Sequence, residues 1–145
     1  MVGIGHPLRG DDYIGSFILR ELKKSVNVMP VNVQLINAED SVESVITRLV
    51  ELRPKHVIFI DACEMNMRPG ETRLIPVAAT EYPFFTTHGI PLKLLSEQLL
   101  PESESWILAV QPKQVDFSHN PSPEVRRAGV EISDYVSKLL TEVNN

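Results

Sequence analysis

The chain has 145 residues, of which 43% are hydrophobic and 23% charged, a composition typical of a globular domain. This length suffices to bury a core without disulfides or metals, and we expect a single domain that spans residues 1–145. The formal net charge of −5, without any block of Lys and Arg interleaved with aromatic residues, argues against nucleic acid as a partner.

Cysteine usage and hydropathy indicate the compartment. The single cysteine, Cys63, excludes an intrachain disulfide and is typical of a reducing environment. No stretch approaches the roughly 20 apolar residues that span a bilayer, and the N-terminus shows no basic region followed by an apolar core. We therefore expect a cytoplasmic protein without a membrane segment.

A glycine-rich loop follows a short apolar strand, Val2–Ile4, near the start of the chain. The third glycine of a dinucleotide loop would fall at position 8, which is Leu8, and no Gly-Lys-Ser/Thr follows to make a P-loop. The loop instead delivers two adjacent carboxylates, Asp11 and Asp12, to the start of a helix. Such a pair repels phosphate and favours a cation.

Helix and strand patterns alternate in the next part of the chain. Apolar residues at helical spacing predict a first helix over residues 13–24, and alternation predicts a strand over residues 31–36. Asp40 and Glu43 have the spacing of an N-cap and its capping-box partner, so a second helix is expected to begin there. Its predicted core positions are Val42, Val45, Ile46 and Leu49.

The strongest strand pattern covers residues 56–60 and ends at Asp61. It is apolar on both faces, as a central parallel strand between two helix layers must be. Strand, helix, strand, helix, strand is the order of a parallel sheet with crossover helices. We therefore predict an α/β domain with a twisted, mostly parallel sheet of about five strands, flanked by helices on both faces.

The second half continues this pattern. Residues 71–77 alternate and contain a proline, which predicts an edge strand, and residues 106–111 predict another buried strand. Pro91 suits the first turn of a third helix, and Ser122-Pro123-Glu124 is expected to cap the last one. The predicted inward positions of these two helices are Leu92, Leu95 and Leu99, then Val125, Ala128, Ile132, Tyr135, Leu139 and Val143.

Three polar side chains are predicted to meet at one end of this sheet. Asp12 follows the first strand, Asp61 ends the central one, and His88 lies in a loop that precedes a helix. Open parallel sheets bind ligands beyond the carboxyl ends of their strands, and two carboxylates with one imidazole suit a divalent transition metal that keeps positions open for substrate. Spacing does not decide between the paired aspartates. We take Asp12 as functional and Asp11 as a helix cap or a solvated side chain.

Other interpretations of these residues are simpler. Cys63 is by default a buried, inert thiol. His6 is most simply a loop residue, although its place beside the acidic pair allows a supporting role. Taken singly, Asp61 would be a turn or cap residue and His88 a loop histidine, so the metal hypothesis depends on the set.

Four short motifs together resemble those of the hydrogenase maturation endopeptidases, the enzymes that process the large subunit of nickel-iron hydrogenases. They are G-I-G-x-x-x-x-G-D-D from Gly3, I-D-A from Ile60, T-T-H-G-I-P-L from Thr86 and V-Q-P from Val110. The ordered set covers the chain from Gly3 to Pro112 and is more specific than any one motif.

This resemblance implies an enzyme that removes a C-terminal peptide from the precursor of a hydrogenase large subunit. In the family, nickel already inserted in the precursor is the recognition signal, contacted by two acidic side chains and a histidine. Carried over by motif, these catalytic and metal-contacting residues are Asp12, Asp61 and His88. The nickel comes with the substrate, no tightly bound organic cofactor is expected, and a monomer is the simplest state for a cleft that admits a partner protein.

Two positions depart from the family pattern. His6 stands where asparagine is common and would add a nitrogen donor, and Tyr13 stands where glycine is usual and would narrow the cleft. Two alternatives stay open. One, to which these two departures point, is a non-catalytic, nickel-dependent checkpoint protein that binds the precursor. The other is a cysteine hydrolase that uses Cys63 with His88 and an aspartate, although acidic surroundings disfavour its thiolate.

Overall fold

The computed structural model describes residues 1–80, 92–114 and 116–143. In chain order, the strands are β1 (Val2–Ile4), β2 (Ile36–Glu39), β3 (His56–Ala62), β4 (Thr72–Pro76) and β5 (Glu104–Val110). The helices are α1 (Ile14–Ser25), α2 (Glu43–Leu52), α3 (Leu92–Leu99) and α4 (Pro123–Val143), and two short 3-10 turns cover Gly10–Tyr13 and Val77–Ala79. Among the described helices, none is long and apolar enough to cross a membrane.

The five strands form one sheet in the order β2-β1-β3-β5-β4. The first four strands of this order run parallel to their neighbours, and β4 lies antiparallel to β5 at the edge. The predicted α/β architecture with a mostly parallel sheet is confirmed, as is the edge position of the strand near residues 71–77.

Each face of the sheet carries its own core. On one face, α2 and α3 place Leu49, Leu92 and Leu95 against the strands. On the other face, α1 and α4 pack against each other and against the sheet. The central strand serves both cores, because Phe59 belongs to the first and Ile60 to the second. The prediction of helices on both faces is therefore confirmed.

The strand predicted over residues 31–36 is wrong, because β2 begins only at Ile36. Val31 is fully exposed, and Val33 N–H donates to Pro30 C=O in a turn. The partner strand β1 has three residues and pairs with β2 from Ile36 onward. Alternation alone could not show where that partner begins and ends.

The capping box predicted for the second helix is also wrong. α2 begins at Glu43 with Val42 at its N-cap position, and no side chain caps it. The Glu43 carboxylate instead accepts a hydrogen bond from the Ser41 hydroxyl at 2.7 Å. Asp40 lies in the preceding turn, outside the helix.

The predicted apolar stripe of α3 is correct for Leu92 and Leu95, and that of α4 is correct as far as Ile132, which is partly buried and packs against the core. Leu99 is 47% exposed, and the next residue, Leu100, is buried in its place. On α4, Val125 and Ala128 are buried, whereas Tyr135 is 66% exposed. Leu139 is exposed too, because the distal part of α4 extends beyond the core that covers its first turns. Pro91 and the side chain of Val143 lie outside the described part of the chain.

Candidate functional site

Close backbone contacts bring the 3-10 turn Gly10–Tyr13 to the end of the sheet. A Cβ atom at Gly15 would overlap the carbonyl oxygens of Ile4 and Ile60, so the start of α1 lies directly on β1 and β3. Gly5 has a φ of +130°, and a Cβ atom there would overlap the carbonyl of Asp12. Only glycine permits both approaches, which fix the turn against the carboxyl ends of these strands.

Asp12 and Asp61 lie at this end of the sheet. Asp12 is fully buried in the 3-10 turn, where its Oδ2 atom lies 3.4 Å from the amide nitrogen of His6. Asp61 is the penultimate residue of β3 and is 2% exposed; its Oδ1 atom accepts the Ala62 N–H at 2.8 Å. The turn packs against β3, and Gly3 of β1 pairs with Ile60, so both carboxylates belong to one rim.

His88, the third member of the predicted set, lies outside the described residues. The same holds for the rest of the T-T-H-G-I-P segment that carries it. Among the described residues, no group of three His, Cys, Asp or Glu side chains is arranged to hold a metal ion. The three-residue site therefore stays a prediction, of which the structure describes two members.

Asp11 is neither a helix cap nor a solvated side chain, and that expectation is wrong. Its side chain is fully buried. Its Oδ2 atom accepts the amides of Lys113 at 2.7 Å and Gln114 at 3.0 Å and the Ser122 hydroxyl at 3.0 Å, and its Oδ1 atom accepts the Ser122 amide. A carboxylate offers about four lone-pair sites, so these donors fill its capacity. This occupancy favours Asp12 over Asp11 as the functional member of the pair.

Gln111 is a second structural residue that sequence reasoning did not single out, although it stands in the V-Q-P motif. It is 3% exposed, and its Oε1 atom accepts the amides of Met65 at 2.8 Å and Met67 at 3.2 Å. Its Nε2 atom donates to Glu64 Oε1 at 3.0 Å and to Pro112 C=O at 3.1 Å. The loop that follows Asp61 is thereby wrapped around one buried amide.

The environment of Cys63 is unfavourable for a nucleophile. The thiol is buried, and burial, reinforced by the nearby Asp61 carboxylate, raises its pKa well above the ordinary value. A protonated thiol is a poor nucleophile at neutral pH. The default interpretation of an inert, buried thiol agrees with this environment.

His6 and Tyr13, the two departures from the family pattern, have local partners. The His6 Nδ1 atom accepts the Leu8 amide at 3.2 Å, which holds the ring within its own loop. The Tyr13 hydroxyl accepts a hydrogen bond from Arg20 at 3.3 Å, and its ring packs edge-on against Phe17. Because Phe17 and Arg20 are both on α1, the tyrosine side chain lies along that helix.

Comparison with known proteins places this chain and its fold in a class. The family model for hydrogenase maturation proteases matches residues 17–140. The hydrogenase 3 maturation protease of Escherichia coli K12 is 31% identical over 127 residues, which cover 86% of this chain and 80% of that protein. The chain is thus a peptidase by class, and it belongs to the hydrogenase maturation protease family.

Solved structures agree with this assignment. The crystal structure of the [NiFe] hydrogenase maturation protease HycI from Thermococcus kodakarensis KOD1 superposes with a TM-score of 0.83 at 25% identity, covering 97% of this chain and 90% of that one. The solution structure of the endopeptidase HycI from Escherichia coli gives a TM-score of 0.77 at 26% identity, covering 99% and 89%. The similarity extends over nearly the whole fold.

Proposed function

We propose that this protein is an endopeptidase that removes the C-terminal extension of a nickel-iron hydrogenase large-subunit precursor after nickel insertion. The nickel belongs to the substrate and acts as the recognition signal. Besides membership of the family, the observation that carries this proposal is the pair of buried carboxylates, Asp12 and Asp61, at one rim of the sheet. The proposed contacts to the nickel are Asp12, Asp61 and His88.

Burial explains why these carboxylates suit a cation supplied by the substrate. A carboxylate removed from water loses solvation, and a nearby cation restores part of it. Asp12 is in the 3-10 turn and Asp61 is in β3. The start of α1 packs closely on β1 and β3, and this packing fixes the two backbones relative to each other. A metal that arrives with the precursor would therefore meet two carboxylates that are already in position.

Two chemical roles follow for the substrate's nickel. It would polarise the scissile carbonyl, or lower the pKa of a bound water towards about 7. Either carboxylate of the rim would then serve as the base. A precursor without nickel would then have no activated peptide bond, so the protease would cleave only precursors that carry the metal.

The test is processing of the host's hydrogenase large-subunit precursors, each with and without nickel, followed by mass spectrometry. We expect nickel-dependent loss of a C-terminal peptide from one precursor. Asp12→Asn, Asp61→Asn and His88→Ala should abolish processing, whereas Asp134→Asn, which changes an exposed carboxylate on α4, should not. Full processing by the three site variants would contradict the assignment.

The same assay separates the two alternatives. Nickel-dependent binding of a precursor that is never cut would identify a checkpoint protein. A cysteine hydrolase would lose activity in Cys63→Ser, and we expect this variant to remain active because the thiol is buried and its pKa is raised.

A further inference from the structure

The loop after β5 carries a large apolar side chain into solvent. Phe117 is 92% exposed. A single exposed apolar residue is common on protein surfaces and means little by itself. What distinguishes Phe117 is the set of bonds that holds its loop beside the candidate site.

Ser118, the residue after Phe117, is hydrogen-bonded through both its N–H and its C=O to the segment that leads to Asp12. The amide of Ser118 donates to Leu8 C=O at 3.1 Å, and the amide of Gly10 donates to Ser118 C=O at 2.9 Å. Gly10 has a φ of +56°, and a Cβ atom there would lie 3.1 Å from the carbonyl oxygen of Asp116. The loop is therefore in close backbone contact with the 3-10 turn of the site.

Asp11 fastens both ends of the same loop. Its buried carboxylate accepts the amides of Lys113 and Gln114 at one end and the amide and hydroxyl of Ser122 at the other. Phe117 lies between these two fastened ends, and its side chain is 92% exposed. The fold thus holds an aromatic ring in solvent, on a loop anchored by the residue next to Asp12.

We propose that Phe117 is a substrate-binding residue that packs against an apolar surface of the hydrogenase large-subunit precursor, next to the segment that carries the nickel. This inference rests on the proposed function. Asp12 and Asp61 are buried, so a precursor that presents its metal to them must cover the loops at the rim. Leu8, which is 38% exposed, accepts the Ser118 amide through its carbonyl oxygen, so a second partly exposed apolar residue is on the segment paired with this loop. Aromatic side chains, Phe included, are enriched at protein interfaces, and a few well-packed anchors carry most of the binding energy.

The expected effect is on binding and not on chemistry. Phe117→Ala should raise the Kd for the nickel-loaded precursor about tenfold or more. The KM of processing should rise with it while kcat stays nearly unchanged, because the ring binds the precursor equally in the ground and transition states. Phe117→Leu should retain most of the affinity. Tyr135→Ala, which removes a 66% exposed aromatic ring from α4, is the matched control and should have no effect.

The experiment is a titration of the purified nickel-loaded precursor with each variant, with thermal unfolding to verify the fold and steady-state processing in parallel. Equal Kd values for wild type and Phe117→Ala, or a loss confined to kcat, would overturn the inference while the proposed function stands. Phe117-dependent binding without cleavage would support the inference and overturn the endopeptidase. If the wild-type protein binds no precursor, the inference is overturned together with the proposed function.

Discussion

Two loops at the rim of the sheet are fastened by different chemistry. The loop over residues 63–71, which follows β3, surrounds the Gln111 amide, and the loop over residues 113–122, which follows β5, is fastened to the Asp11 carboxylate. An amide both donates and accepts, so Gln111 serves two amide donors and two oxygen acceptors. A carboxylate only accepts, so each of the Asp11 partners is a donor. The comparison shows that a buried acidic residue at this rim can be wholly structural.

The largest loss of stability is expected from Asp11→Ala. Three amides and one hydroxyl lose their common acceptor, although some of these donors can then hydrogen-bond to water. We expect the free energy of unfolding to fall by about 3 kcal/mol, measured by urea denaturation. Asp116→Ala, an exposed carboxylate in the same loop, is the control. Equal midpoints for the two variants would show that Asp11 does not fasten the loop.

The next largest effect is expected from Gln111→Leu. The substitution keeps the size of the side chain and leaves the amides of Met65 and Met67 without their acceptor, so the free energy of unfolding should fall by about 2 kcal/mol. Limited proteolysis should then cut first within residues 63–71. First cleavage within residues 113–122 would mean that the two loops are not held separately.

A smaller effect concerns Cys63, at the start of the first loop. The thiol of an unfolded chain ionises from about pH 8.5, whereas burial and Asp61 keep the folded thiol protonated by raising its pKa. The folded state then binds more protons, so the free energy of unfolding falls as the pH rises through this range. Cys63→Ser should reduce that slope. In the native wild type, alkylation at about pH 8 should be slow, and it should become fast in concentrated guanidinium chloride. Rapid alkylation of native protein would contradict the burial.

The smallest effect is expected from Lys113→Ala, because Asp11 binds the backbone amide of this residue and not its side chain. In the wild type, an exposed ion pair between Lys113 and Glu124 at 2.7 Å lowers the pKa of the Glu124 carboxyl group. The substitution removes this ion pair. The Glu124 pKa should rise towards its ordinary value in an NMR titration, with no measurable change in the urea midpoint. A large destabilisation would show that the second loop depends on the lysine side chain.

Local sequence patterns were sufficient to predict the helices and strands that face a core along their whole length. The apolar run at β3 predicts a central strand, since both of its faces are covered, and α1 begins and ends within one residue of its prediction. The strand over residues 31–36 failed because the position of β2 depends on a three-residue partner far away in the chain. The distal stripe of α4 failed because the core ends before the helix does.

The candidate site likewise has features that the sequence predicts and features that only the tertiary structure decides. The order of the motifs was enough to predict the family, and strand topology was enough to predict that Asp12 and Asp61 share a rim, because parallel strands present their carboxyl ends together. The roles of Asp11 and Gln111 were decided only by the tertiary structure. The partners of Asp11 lie more than 100 residues away, and the partners of Gln111 in the loop after β3 lie more than 40 residues away. No local pattern reports a hydrogen bond at that separation. Identical carboxylates next to each other in sequence acquire different surroundings because the fold encloses Asp11 with donors and brings Asp12 to the strand ends.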